Sequence, residues 1–198
     1  MKAEEKRKSI ITTGMDLFNQ HGYESVSVSD ICKALNMTKP TLYRYIPRKE
    51  MILVNYYNEQ QLNALPEVQA LLKEKRAEAA LQHMFTTMHM TALSMGPELF
   101  RVLRNYSLNY ENYSSEVLDP QIELLTKCID ILEKQDWIAT RQDPDRLARI
   151  LMNLNEGLSI LWTSTNGSFD LPKRFQLYCS SILNVRQTPG GLTVPIPA

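Results

Sequence analysis

Residues 27 to 45 constrain this chain most tightly, because Ser27, Asp30, Asn36, Thr38 and Pro40 punctuate two short helices with almost no room between them. Ser27 and Asp30 stand in the S-x-x-D relation of a capping box, in which each side chain satisfies a backbone N–H that the helix start leaves unpaired. That spacing predicts a helix from Val28 to about Leu35, with Ile31, Ala34 and Leu35 inward. Asn36 tolerates the left-handed backbone that ends such a helix. Thr38 is an N-cap for a second helix, and Pro40 falls in its first turn, where a missing N–H has no intrahelical partner to lose. Two helices of this length, joined this closely, have the layout of a helix-turn-helix, whose second helix enters the major groove.

Net charge is silent about nucleic acid for the whole chain, which carries 22 basic and 22 acidic side chains over 198 residues. Taken locally it speaks. Between Ile31 and Lys49 stand Lys33, Lys39, Arg44, Arg48 and Lys49 with no acid, a +5 footprint of the kind that neutralises phosphates and releases their counterions. Thr38, Thr41, Tyr43 and Tyr45 are interleaved with these cations and reach phosphates or bases, which sets the run apart from an ordinary solvated face. Tyr43, Tyr45 and Lys49 are assigned to phosphates. Lys39, Thr41 and Arg44 are assigned to base edges, with Pro40 adding apolar contact, because they lie early on the outward side of the second helix. Thr38, Ser27 and Ser29 complete the DNA-facing set.

A preceding helix completes a three-helix module. From Arg7 to His21 the positions Ile10, Ile11, Gly14, Leu17 and Phe18 recur on one helical face, Lys6, Arg7, Asp16 and Gln20 stay polar, and Gly22 is a natural stop. Ile10-Ile11 followed by Leu17-Phe18, then Gly22-Tyr23, Val28 with Asp30-Ile31, and Thr41-Leu42-Tyr43-Arg44-Tyr45 followed by Pro47 and Lys49-Glu50-Met51, resemble the N-terminal signature of the tetracycline-repressor (TetR) family. The likeness covers about the first fifty residues as a sequence motif. Asn36 and Pro40 stand where glycines are usual, Ile46 where phenylalanine is usual, and Arg48 where a small capping residue is common. Ile46 is still apolar and Asn36 fits the turn, so the fold is kept, while Pro40 and Arg48, at the DNA-facing ends of helices, bear on operator sequence and affinity.

The resemblance implies an all-α fold: a three-helix DNA-binding domain over residues 1–48, then a helical ligand-binding and dimerisation domain over 49–185. It implies a ligand-responsive transcriptional regulator, most simply a repressor, that binds double-stranded operator DNA as a homodimer and is released by a small, largely apolar inducer. The remaining residues agree with a helical domain. Helices are expected at 49–63, ended by Pro66, and at 68–95, broken at Gly96-Pro97. Further helices are expected at 97–112, 117–135, 144–164 and 171–185, with a non-helical tail over 186–198. No strand alternation or internal repeat competes. Cys32, Cys128 and Cys179 are odd in number and far apart, which argues for buried thiols rather than a disulfide framework. The N-terminus has no apolar run after its charged residues, so the expected location is cytoplasmic. No cofactor is expected.

Residues 79 to 95 carry no Asp, Glu, Lys or Arg. Such a helix is expected to be buried on all sides. In the resembling family the middle of the larger domain holds the ligand cavity, which makes Met84, Phe85, Met88 and Met95 candidate walls, with Tyr106, Tyr110 and Trp162 opposite; ordinary core packing is the competing reading. His83 and His89 are six apart and share no helical face, so they form no metal pair. Leu147, Leu151, Leu154, Leu158 and Leu161 step by four, three, four and three, and Leu171, Phe175, Tyr178, Ile182 and Val185 repeat these steps. Two such stripes pack either on the chain's own core or on a symmetry mate as a four-helix bundle. The family resemblance favours the dimer seam, with Leu147, Leu151, Leu154, Leu158, Leu161, Phe175, Tyr178 and Ile182 on it. Two other classes remain: a helical dimer that binds a ligand or partner without DNA, and an enzyme, for which no nucleophile elbow, phosphate loop or H-E-x-x-H is present.

Overall fold

The computed structural model describes residues 3–109 and 115–186. Among the described residues eight helices follow in order: α1 Ala3–His21, α2 Val28–Ala34, α3 Lys39–Tyr45, α4 Glu50–Lys73, α5 Ala77–Asn109, α6 Ser115–Lys134, α7 Pro144–Ser164 and α8 Leu171–Leu183. No strand occurs among the described residues, and one antiparallel bridge, Ile138 to Val185, ties the end of α8 to the loop after α6.

Local chemistry sets the first three helices. Both halves of the capping box form, with the Asp30 amide bonded to Ser27 Oγ and the Ser27 amide to Asp30 Oδ2. Asn36 adopts φ 49°, the left-handed geometry expected of it. Thr38 caps α3 through the Thr41 amide, and Pro40 sits in the first turn. Ile10, Phe18, Ile31, Leu42 and Ile46 close a core with Tyr23 and Val26. Ala34 does not join it; Ala34 is exposed, and Cys32 takes the inward place beside Ile31. The α1–α4 crossing depends on Gly14, where a Cβ would lie 2.9 Å from Ile52, so any side chain would force the helices apart.

Two expected boundaries are corrected. Helix α4 does not stop at Pro66 but runs through it to Lys73, and the next helix starts at Ala77 rather than at 68. Proline removes one intrahelical hydrogen bond, here the one to the Leu62 carbonyl, on an exposed side of the helix. Burial of Ile52, Leu53, Val54, Tyr57, Gln61, Ala64 and Val68 along the other side outweighs the loss. At Gly96-Pro97 the expected break is present: Gly96 takes the non-helical φ 72°, and a helical segment lies on either side of it. Helix α7 spans the expected residues.

The uncharged stretch 79–95 is not buried on all sides. Met84, Phe85, Met88, Ala92 and Met95 point into the core, while Met90 and Leu93 are exposed. Helices α4 to α8 pack around that core, and α4 also packs on α1, so one continuous helix joins the first three helices to the rest. No helix is long and apolar enough to cross a membrane among the described residues.

Candidate nucleic-acid interface and effector cleft

Helix α3 is anchored by two side chains, Leu42 and Ile46, which are 1% and 0% exposed. Four residues apart on one helical face, they turn the opposite face outward. Lys39, Pro40, Tyr43 and Arg44 are exposed there, and Thr41 and Tyr45 are half-buried. The structure brings Lys39, Pro40, Tyr43 and Arg44 together on the exposed side of one short helix. Arg44 Nη2 donates to the Tyr45 hydroxyl at 3.2 Å, and its guanidinium lies 5.1 Å from that ring's centroid. This engages one of five N–H donors and holds the group in a defined place. Thr38 and Thr41 share a hydrogen bond between their hydroxyls at 2.9 Å. Ser29 is exposed. The Ser27 hydroxyl donates to Asp30 Oδ2 at 2.6 Å, so that side chain first serves the cap. These same bonds from Ser27 hold the Asp30 carboxyl below its ordinary range.

Lys49 has a different environment from the other cations. Its Nζ donates to the Tyr23 carbonyl at 2.5 Å and sits 3.8 Å above the Tyr23 ring, which fastens the start of α4 to the loop after α1. Burial lowers its pKa, and Glu24 and Glu50 pull the other way. Lys49 thus ties the start of α4 to the N-terminal helices through one hydrogen bond and a ring contact.

Inside the larger domain, of the expected cavity walls, Met88 lines a cleft, with Tyr57, Asn58, Arg104, Gln121, Met152, Asn155 and Glu156. Met84, Phe85, Met95 and Trp162 are packed in the core, each under 5% exposed. Phe85 meets Phe175 at 4.3 Å between ring centroids, and Trp162 stands edge-on to Phe100. Tyr106 is half-buried, and Tyr110 lies outside the described residues. The cleft holds about 40 Å³. His89 lies beside it. Its Nε2 is 3.0 Å from Asn155 Oδ1, and burial pushes its pKa down to about 4, against a smaller opposite pull from Asn155 and Asp170. His83 is separate, 3.5 Å from Glu67. Sequence reading missed Arg104, Glu156, Tyr57 and Asn155. The available signal was an arginine four residues after Phe100 and one after Leu103, on an apolar helical face.

Residues 10–55 match the family of bacterial regulatory proteins described as the tetR family. Over those residues the chain's helix-turn-helix is similar to that family. The chain is 31% identical over 110 residues to an uncharacterized HTH-type transcriptional regulator of Bacillus subtilis, YuxN, covering 54% of this chain and 37% of that protein. It is 35% identical over 83 residues to the HTH-type transcriptional repressor ComR of Escherichia coli, covering 40% of this chain and 39% of that one. The matches therefore span well under half the length of these curated relatives. Over the whole fold, the TetR-family repressor FadR of Thermus thermophilus, solved with lauroyl-CoA, superposes with a TM-score of 0.71 at 22% identity, covering 92% of this chain and 97% of that one.

On the last two helices the expected seam is corrected. Leu147, Leu151, Leu158 and Phe175 are 0%, 0%, 5% and 1% exposed, so they belong to the chain's own core and have no surface to offer a second copy. Leu154 and Ile182 are half-buried. The apolar surface that remains is Ile160 and Leu161 on α7 with Leu177 and Tyr178 on α8, from 39% to 64% exposed. A seven-residue stripe specifies that a helix packs, not against what; two neighbours on α6 and α5 claimed the inner stripe of α7 first.

Proposed function

We propose that this chain is a transcriptional repressor that binds operator DNA as a homodimer and leaves it when a small molecule enters the larger domain. The observation that carries the reading is the outward face of α3: Lys39, Pro40, Tyr43 and Arg44 exposed on a helix whose opposite side is locked into the core by Leu42 and Ile46. A rigid helix with a basic, hydrogen-bonding outer face is what major-groove reading requires. Lys39, Thr41 and Arg44 read bases, while Tyr43, Tyr45 and Lys49 hold phosphates, with Ser29 and Thr38 at the helix starts.

The homodimer forms through Leu154, Ile160, Leu161, Leu177, Tyr178 and Ile182. Two copies joined there place their α3 helices for successive major grooves, about 34–36 Å apart. An inducer acts by binding one spacing of these heads better than the other. Met88 and Met152 in the cleft suit the apolar part of a small molecule, and the lauroyl-CoA in the Thermus thermophilus FadR structure is a precedent for such a fold taking a molecule with an acyl chain. A mobility shift with DNA flanking the chain's own gene tests the reading. The expected result is a retarded band that weakens steeply with salt; failure to bind that DNA, with folded dimeric protein, favours a helical ligand-binding dimer without DNA.

A further inference from the structure

We propose that the cleft between α4, α5, α6 and α7 is a site for an organic anion, an amphipathic carboxylate whose charged end pairs with Arg104 in place of Glu156. The inference rests on the reading of the larger domain as ligand-binding and specifies the chemistry of the ligand.

Arg104 is 5% exposed, and its guanidinium lies 4.6 Å from the Phe100 ring centroid and 5.5 Å from that of Tyr57. A guanidinium keeps its charge at any ordinary pH, so a buried one requires an anion beside it. Here the anion is Glu156, with Arg104 Nη1 at 2.9 Å and 2.8 Å from its two carboxylate oxygens. The pair is asymmetric. The Arg104 side chain is 6% exposed and that of Glu156 is 44% exposed. Glu156 can swing into water at small desolvation cost, whereas Arg104 cannot follow it. An incoming carboxylate would therefore meet a fixed buried cation and a removable counterion.

The rest of the lining fits an amphiphile. Met88 and Met152 are unbranched and repack readily, and Gln121 and Asn155 offer hydrogen bonds near the charge. A space of about 40 Å³ holds only a water or so, so binding must move those methionines aside. Neutral or cationic molecules of the same shape gain nothing from Arg104, and a cation would be repelled by it. Selectivity by charge is thus the distinguishing property.

The test uses the full chain with decanoate and 4-phenylbutyrate as carboxylate probes and 1-decanol and 4-phenylbutanol as neutral counterparts, followed by calorimetry and thermal melting. We expect the acids to bind at least tenfold more tightly than the alcohols, and Arg104→Met to remove that difference. Glu156→Gln removes the carboxylate that pairs with Arg104, so the melting temperature should fall, and decanoate should raise it by more degrees than in the unmodified protein. Should Arg104→Met not fold, the Glu156→Gln melt decides alone. Equal binding of acids and alcohols, no binding of either acid, or a decanoate shift in Glu156→Gln no larger than in the unmodified chain overturns the site. Carboxylate binding that leaves the DNA complex intact instead overturns induction and keeps the site.

Discussion

The outer face of α3 and the interior around His89 and Arg104 use polar side chains in opposite ways. On α3, Lys39, Tyr43 and Arg44 stay in water, where a charge is cheap to keep and open to a partner. In the larger domain His89, Arg104 and Asn155 are 4%, 5% and 2% exposed, and His89 and Arg104 are held by a named neighbour, Asn155 for one and Glu156 for the other. Removing a group from the first face changes what the protein touches. Removing His89 or Glu156 from the second leaves a buried partner, Asn155 or Arg104, unmatched, and changes whether the fold stands. The difference teaches that the same residue types report binding on a surface and conformational state in a core.

The sharpest way to break the comparison is at α7, which carries both kinds of face. Leu151→Glu puts a charge where the chain's own core is closed, so it should destabilise the protein by about 4 kcal/mol or more and abolish the cooperative melt. Leu161→Glu together with Tyr178→Glu, on the exposed side, should leave circular dichroism intact and give a monomer by sedimentation. A folded Leu151→Glu dimer would show that the inner and outer stripes are wrongly divided.

A smaller effect tests the surface half. Lys39→Ala and Arg44→Ala should each lose about 1–3 kcal/mol at one operator position, with non-specific affinity nearly unchanged. Binding to a library of operator variants checks this, and a uniform loss across the library would reassign both side chains to phosphates.

The interior half has a pH signature. His89 titrates near 4 when folded and near 6.5 when unfolded, so between these values the unfolded chain binds the extra proton. Stability from this group is complete above about pH 6.5 and is lost as pH falls toward 4, by about 2 kcal/mol at pH 5. Urea unfolding of the native chain and of His89→Gln at pH 7 and pH 5 measures it; the variant should show a shallower fall, and parallel falls would remove His89 as the cause.

Smallest is the cap. Ser27→Ala removes both side-chain bonds to Asp30 and should cost about 1 kcal/mol, read as a lower melting temperature and weaker operator binding together. Operator binding that weakens with no change in melting would make Ser27 a direct DNA contact instead.

The sequence by itself determined α2, the turn at Asn36 and the start of α3, because capping and left-handed turns are satisfied within four or five residues of the chain. It also determined which face of α3 is basic, since Leu42 and Ile46 fix the helix's rotation. Helix α7 was legible for the same reason, with Asp143 and Pro144 marking its start. Only the tertiary structure decided that α4 passes through Pro66, because the gain comes from a face packed on α5, outside the reach of any local signal. Only packing decided which leucines of α7 are core and which are surface: a helical period states that one side is apolar and not what lies against it. The pairing of Arg104 with Glu156, 52 residues on, was likewise invisible, since an ion pair between helices is fixed by where the helices cross.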